Sequence, residues 1–274
     1  MLPTLSTDIG LGLFRGSEWE ETIFGLLVVL LCAAMGFLIW LGFRPRGAQT
    51  DKTSDPHPER LPPLARESPH FRLVRGIEVT DLGGVREGYM AKRADDGHTV
   101  VTVSVSAERL PEVIPALTAE VEGIAEFHVE VPCTHEVERT LRRRYDDPWH
   151  SDVFRIGDLT HERFMELFGL YGELLIHDGW VNFQYGAPAP ANDSVYVGPG
   201  KVIWVHADSP EKYFRVLERL GYTEELELHT VLSNVGPGTP AAPKFIEVNG
   251  KGIRDMVEEL KAEGLQMHDR KEYY

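Results

Sequence analysis

The densest run of residue types able to bind metal or move protons is His128-Val-Glu130-Val-Pro-Cys133-Thr-His135. Imidazole, carboxylate and thiolate are the side chains that hold zinc, and a closed zinc site needs four such donors around one point. Backbone periodicity works against that convergence. In an extended chain Phe127, Val129 and Val131 point to one side and Glu126, His128 and Glu130 to the other. The run therefore reads as a strand with one solvated acidic face, leading into a helix capped by Thr134. A second stretch repeats the habit, with Leu226, Leu228 and Leu232 facing one way and Glu225, Glu227 and His229 the other. Each strip sets a histidine among carboxylates, an arrangement suited to docking a basic protein surface or a hard cation. These six polar residues are the first interaction candidates.

In residue types the 128–135 run is similar to the HxE and PCxxC elements of zinc deaminases. It departs from them in arrangement. Those elements stand on separate helices well apart, and Cys133 is followed by His135 rather than by a second cysteine three residues on. Further candidates lie in Tyr145–Asp152, an ionisable loop around Trp149 that follows the basic run Arg142, Arg143 and Arg144. Trp149 and Arg143 are residue types favoured at protein interfaces. His177-Asp178 stands in what reads as hairpin-turn chemistry ending in Asp-Gly, and Asp208 after His206 reads as helix-start chemistry. No nucleophile elbow, Walker loop, HExxH or dinucleotide fingerprint occurs. The expectation is no catalytic residue, no metal and no cofactor.

The elements that would position these residues follow from periodicity. His98–Ser106 alternates as a strand and is followed by a helix with Leu110, Val113, Ile114, Leu117 and Val121 on one face, kinked or delayed by Pro111 and Pro115. Ala125–Val131 is the next strand. About a hundred residues on, the order recurs. Lys201–His206 is a strand, and Ser209-Pro210 starts a helix with Tyr213, Phe214, Leu217 and Leu220 inward and Gly221 at its end. Glu225–Leu232 then completes the repeat. Hairpins over Arg86–Arg93 and Trp180–Val197 precede the two copies. Between them a helix capped by Thr160 carries Phe164, Leu167, Phe168 and Tyr171 inward, with Gly172 closing it. A strand over Lys244–Val248, an Asn249-Gly250 turn and a helix with Ile253, Met256, Val257 and Leu260 on one face complete the chain. The expected fold class is α+β, built from two related β-hairpin–helix–strand halves, 71–150 and 151–274.

Ahead of this lies Ile23–Phe43, 21 residues without a charge and long enough as a helix to span a ~30 Å hydrocarbon core. Glu18, Glu20 and Glu21 precede it and Arg44 and Arg46 follow, with Trp19 and Trp40 near the expected interfaces. This pattern predicts one transmembrane helix, residues 1–22 outside, a proline-rich linker over 44–70 and the folded part in the cytoplasm beneath an inner membrane. An acidic n-region and the long apolar core argue against a cleaved signal peptide. The two cysteines, Cys32 and Cys133, lie far apart and form no disulfide framework.

From Phe71 onward there are 35 acidic and 22 basic residues, a balance of −13. Such a field disfavours nucleic acid and suits basic protein partners. The leading expectation is a non-enzymatic single-pass subunit or adaptor that binds protein partners within an integral membrane complex and meets the lipid bilayer through residues 23–43. The alternatives are an immunity-type or regulatory inhibitor of a basic protein and a membrane-tethered metal-dependent enzyme.

Overall fold

The computed structural model describes residues 71–95, 97–188, 193–236 and 241–273. Ten strands follow one another among them: β1 (Ile77–Val79), β2 (Gly88–Arg93), β3 (Thr99–Ser104), β4 (Ala125–Pro132), β5 (Trp149–Leu159), β6 (Asn182–Gly186), β7 (Ser194–Val197), β8 (Ile203–Ala207), β9 (Ala241–Pro243) and β10 (Gln266–Tyr273). The helices are α1 (Leu110–Thr118), α2 (His135–Leu141), α3 (His161–His177), α4 (Glu211–Arg219) and α5 (Ile253–Lys261). Eight strands form a wholly antiparallel sheet in the order β10-β5-β4-β6-β7-β8-β3-β2. β1 and β9 pair separately as a short antiparallel ribbon.

Alternation decides the two faces of the sheet. Phe127, Val129, Phe183, Tyr185, Val195, Val205, Val101 and Val103 are buried on one side and share a single core with the apolar faces of α1, α3, α4 and α5. Helix α1 touches both α3 and α4, and α3 touches α5, so the helices form one layer in the order α5-α3-α1-α4. At its centre the ring of Phe164 lies 4.4 Å from Tyr185 and 5.8 Å from Phe127, between centroids. Burying rings of this size stabilises the layer contact by roughly 1.5–3 kcal/mol each. The opposite face carries Glu126, His128 and Glu130 of β4 beside Gln184, Tyr196, Trp204 and Thr102, all half-buried.

Local chemistry accounts for the element ends. The Thr134 and Thr160 hydroxyls accept from the N–H groups of Val137 and Arg163, each at 3.3 Å, capping α2 and α3. Pro111 falls at the start of α1, where no N–H is needed, and α1 also absorbs Pro115. α3 runs on past Gly172 to His177, so Ile176–Gly179 is a helix end and not a hairpin turn. Asn249 and Gly250 turn with positive φ, as their types suggest, between the paired Val248 and Lys251.

The expected fold class needs correction on two points. There is no repeat of halves, because β3 of the first pairs with β8 of the second inside one sheet and Glu225–Leu232 is not a strand. That segment skirts β2, bonding only briefly to it (Glu225 N–H to Tyr89 carbonyl, 2.8 Å), while Arg86 grips the Glu225 carboxylate and the Glu227 carbonyl. Leu226 is 99% exposed and Leu228 buried, so the leucines do not share a face. Nor does a membrane-crossing helix belong to the fold described: among the described residues no helix is long and apolar enough to cross a membrane. The span expected over 23–43, its flanking Trp19, Trp40, Arg44 and Arg46, the N-terminal 1–22 and the linker 44–70 lie outside the described residues. The fold that the described residues carry is α+β, with neither a membrane-crossing helix nor an internal repeat. Lys244–Val248 is also not a strand; the pairing falls just before it, in β9.

Candidate functional site

Three neighbouring strands put polar side chains at one end of the helix-free sheet face. Glu130 of β4 stands directly opposite Asn182 of β6, and Tyr196 reaches across from β7. The Tyr196 hydroxyl donates to Glu130 Oε2 at 3.1 Å and Asn182 Nδ2 to the same oxygen at 3.4 Å. Lys271 of β10 donates from Nζ to the other oxygen, Oε1, at 2.5 Å. The Glu130 side chain is 12% exposed, whereas that of Lys271 is 54% exposed. Burial, then the nearby Glu130 charge, raises the Tyr196 phenol far above its ordinary range, so it stays a donor. Tyr196 also stacks on Trp204 at 5.9 Å, which requires Gly198: a Cβ there would stand 2.6 Å from both rings.

Apolar walls rise around this floor. Ile77 of β1 and Ala241 and Pro243 of β9 form one side, and Val231, Leu232 and Val235 form another. Trp180 and Tyr273 close the end, their ring centroids 6.5 Å apart and their planes at 59°. The cleft, open on one side, has a volume of about 410 Å³. Cavities of this size, with apolar walls and a few convergent polar groups, are the usual form of a binding site.

The ribbon wall is fixed by backbone. Gly76 N–H donates to the His177 carbonyl (2.8 Å), Lys244 N–H to Gly76 (2.7 Å) and Gly179 N–H to Lys244 (3.0 Å). Asp178, fully buried at the end of α3, accepts from the N–H groups of Trp180 (2.9 Å) and Ile246 (3.1 Å). It is a structural clamp, and no pairing with His177 as acid and base is formed. Lys201, also buried, donates from Nζ to the Leu175 carbonyl at 2.9 Å and to that of Val181. Burial lowers its ammonium to about 7, opposed in part by Asp178.

The sequence-derived candidates divide. Glu126, His128 and Glu130 do share the half-exposed face of β4, and only Glu130 reaches the cleft. Glu126 holds His128 Nε2 and Arg155, each at 3.1 Å, and burial keeps the His128 imidazole below its usual value. Glu225, Glu227 and His229 belong to the segment beside β2 and do not form a matching strip. Trp149 is 45% exposed but lies under the Arg142 guanidinium at 3.8 Å, while Arg143 is exposed with its backbone N–H held by Asp147. Among the described residues no three His, Cys, Asp or Glu side chains gather where they could hold a metal ion.

Near the same end, the Cys133 thiol donates to Asp152 Oδ1 at 3.2 Å, and Arg270 donates to that oxygen at 2.7 Å. Burial, with Asp152 beside it, pushes the thiol up to about 12, so it is protonated and a poor nucleophile at neutral pH. His150 and Glu138 pair at 3.1 Å, tying α2 to β5. The cleft residues Trp180, Asn182, Tyr196, Lys271 and Tyr273 carry no motif in the sequence. The one available signal was a half-polar alternation over 194–197 and 182–186, which marks an open sheet face but not what lies above it. No family model, curated protein or solved structure matches this chain.

Proposed function

We propose that the domain is a non-catalytic binding module of a protein complex, whose cleft receives a segment of a basic partner polypeptide. The observation that carries this reading is the cleft itself: about 410 Å³, walled largely by apolar side chains, with Glu130, Asn182 and Tyr196 bonded to one another on its floor. Such a floor orients a guest against apolar walls. The charge balance of −13 from Phe71 onward supports a basic partner by steering it electrostatically. Panning a random displayed-peptide library against the full chain tests the reading. Enriched peptides should combine a large apolar residue with net positive charge. Ala241→Trp, which fills the cleft from the ribbon, should weaken them at least tenfold. Peptides that bind this variant as well as the parent would place binding elsewhere and refute the reading.

A further inference from the structure

Within that cleft, we infer that Glu130 and the Trp180–Tyr273 corner recognise one lysine side chain of the partner, and that Lys271 occupies its place in the free protein. The inference rests on the reading of the cleft as a polypeptide-binding site. Four observations converge on it. The Glu130 carboxylate is largely withdrawn from water at 12% exposure, and a carboxylate in such a place holds its charge best against a cation. The cation it holds is carried by an exposed, flexible stem on the edge strand β10, which lets solvent and a competing ligand exchange it.

The aromatic corner is the third. The Trp180 ring, stacked on Phe245 at 5.9 Å, and the Tyr273 ring, 6.5 Å from it at 59°, line the same cleft as Glu130, and aromatic rings attract alkylammonium groups and their methylene stems. Fourth, the bonding at Glu130 selects the type of cation. Oε2 already accepts from Tyr196 and Asn182, which leaves Oε1 as the open oxygen, the one Lys271 now fills. A guanidinium binds a carboxylate best through both oxygens, whereas an ammonium can pair with one oxygen and turn its other N–H groups to further acceptors. The site is therefore shaped for lysine over arginine.

The test uses the full chain and three probes, the acetylated, amidated pentapeptides Ala-Leu-X-Leu-Ala with X lysine, arginine or norleucine, titrated by NMR. The lysine peptide should bind at least tenfold more tightly than the other two. Lys271→Met should strengthen lysine-peptide binding severalfold by removing the internal competitor. Glu130→Gln should erase the lysine preference while leaving the norleucine peptide unchanged. Thermal melting of both variants checks that they fold. Equal binding of lysine and norleucine peptides in the parent and in Lys271→Met, with Ala241→Trp still abolishing both, would overturn this inference and leave the cleft reading standing. Weaker lysine binding by Lys271→Met would overturn the placeholder role. No binding by any of the three at millimolar concentration would overturn both readings.

Discussion

Replacing Gly179 with alanine should detach the β1–β9 ribbon from the domain. A Cβ built on Gly179 would stand 1.8 Å from the Gly76 carbonyl oxygen and 2.9 Å from the Lys244 nitrogen. Both neighbours are backbone, so no side chain can swing aside and the junction must open. Opening loses the three bonds among Gly76, His177, Gly179 and Lys244. At about 0.5–1.5 kcal/mol per buried backbone bond the loss is about 3 kcal/mol. In a domain of this size that corresponds to a fall in Tm of about 10 °C. Amide hydrogen exchange is the sharper assay: Gly76 and Lys244 should lose protection while β4 and β6, deep in the sheet, keep theirs. The cleft loses a wall, so peptide binding should fall with it. A Gly179→Ala protein that melts within 2 °C of the parent, with Gly76 and Lys244 still protected, would refute the close-packed junction.

Gly169→Ala provides the opposite expectation, since Gly169 lies on the exposed side of α3 with open space where a Cβ would go. It should raise stability by about 0.5–1 kcal/mol in a denaturant melt. Stability should also rise with pH through the neutral range. Burial lowers the imidazoles of His128, His161 and His177, so the unfolded chain takes up protons near 6.5 before the folded one does, and stability falls as pH drops through that value. Lys201 acts in the same direction higher up. Its folded value of about 7 lies below the ordinary 10.5, so from pH 7 to 9 the unfolded state holds the extra proton and stability gains about 1.4 kcal/mol per pH unit. Melts across pH 6–9 check this, and a slope between pH 7 and 9 that persists in Lys201→Met would show that Lys201 is not its source. Cys133 should be alkylated by iodoacetamide at pH 8 at least tenfold more slowly than a free peptide thiol, because burial and Asp152 keep it protonated. Peptide mapping of the labelled full chain reads that rate.

Where burial alternates cleanly along a segment, the sequence announced the element. β4 is the clearest case: Ala125, Phe127, Val129 and Val131 are buried and their neighbours are not, as their types require. The caps Thr134 and Thr160 act locally and were equally legible. β10 was not, because Gln266–Tyr273 is a charged edge strand whose side chains are mostly exposed, and no core selects an alternating pattern there. β5 hides for a related reason: Asp152 sits on the core side, where Cys133 and Arg270 satisfy it, and so interrupts the apolar period. Glu225–Leu232 misled in the other direction. Its leucines mimic a strand, yet Leu226 faces solvent and Leu228 the domain, because the segment wraps an edge rather than joining it. The cleft escaped sequence reading because its residues come from β1, β4, β5, β6, β7, β9 and β10 and meet only through long-range pairing.

That pairing has a kinetic consequence. β6, β7 and β8 form a local meander, and β2 with β3 a local hairpin, each able to form within its own short stretch of chain. The seams between β3 and β8 and between β5 and β10 instead join Thr99 to Ala207 and Arg155 to Gln266, each across about a hundred residues that must first be gathered. Loop closure over that distance precedes any reward from the ladder, so closing these two seams should set the refolding rate, on the order of milliseconds to seconds. Until they close, the facing edges of β3, β8 and β5 are unpaired templates for other chains. Crowded refolding should therefore lose material to aggregation through those strands before the locally paired ones.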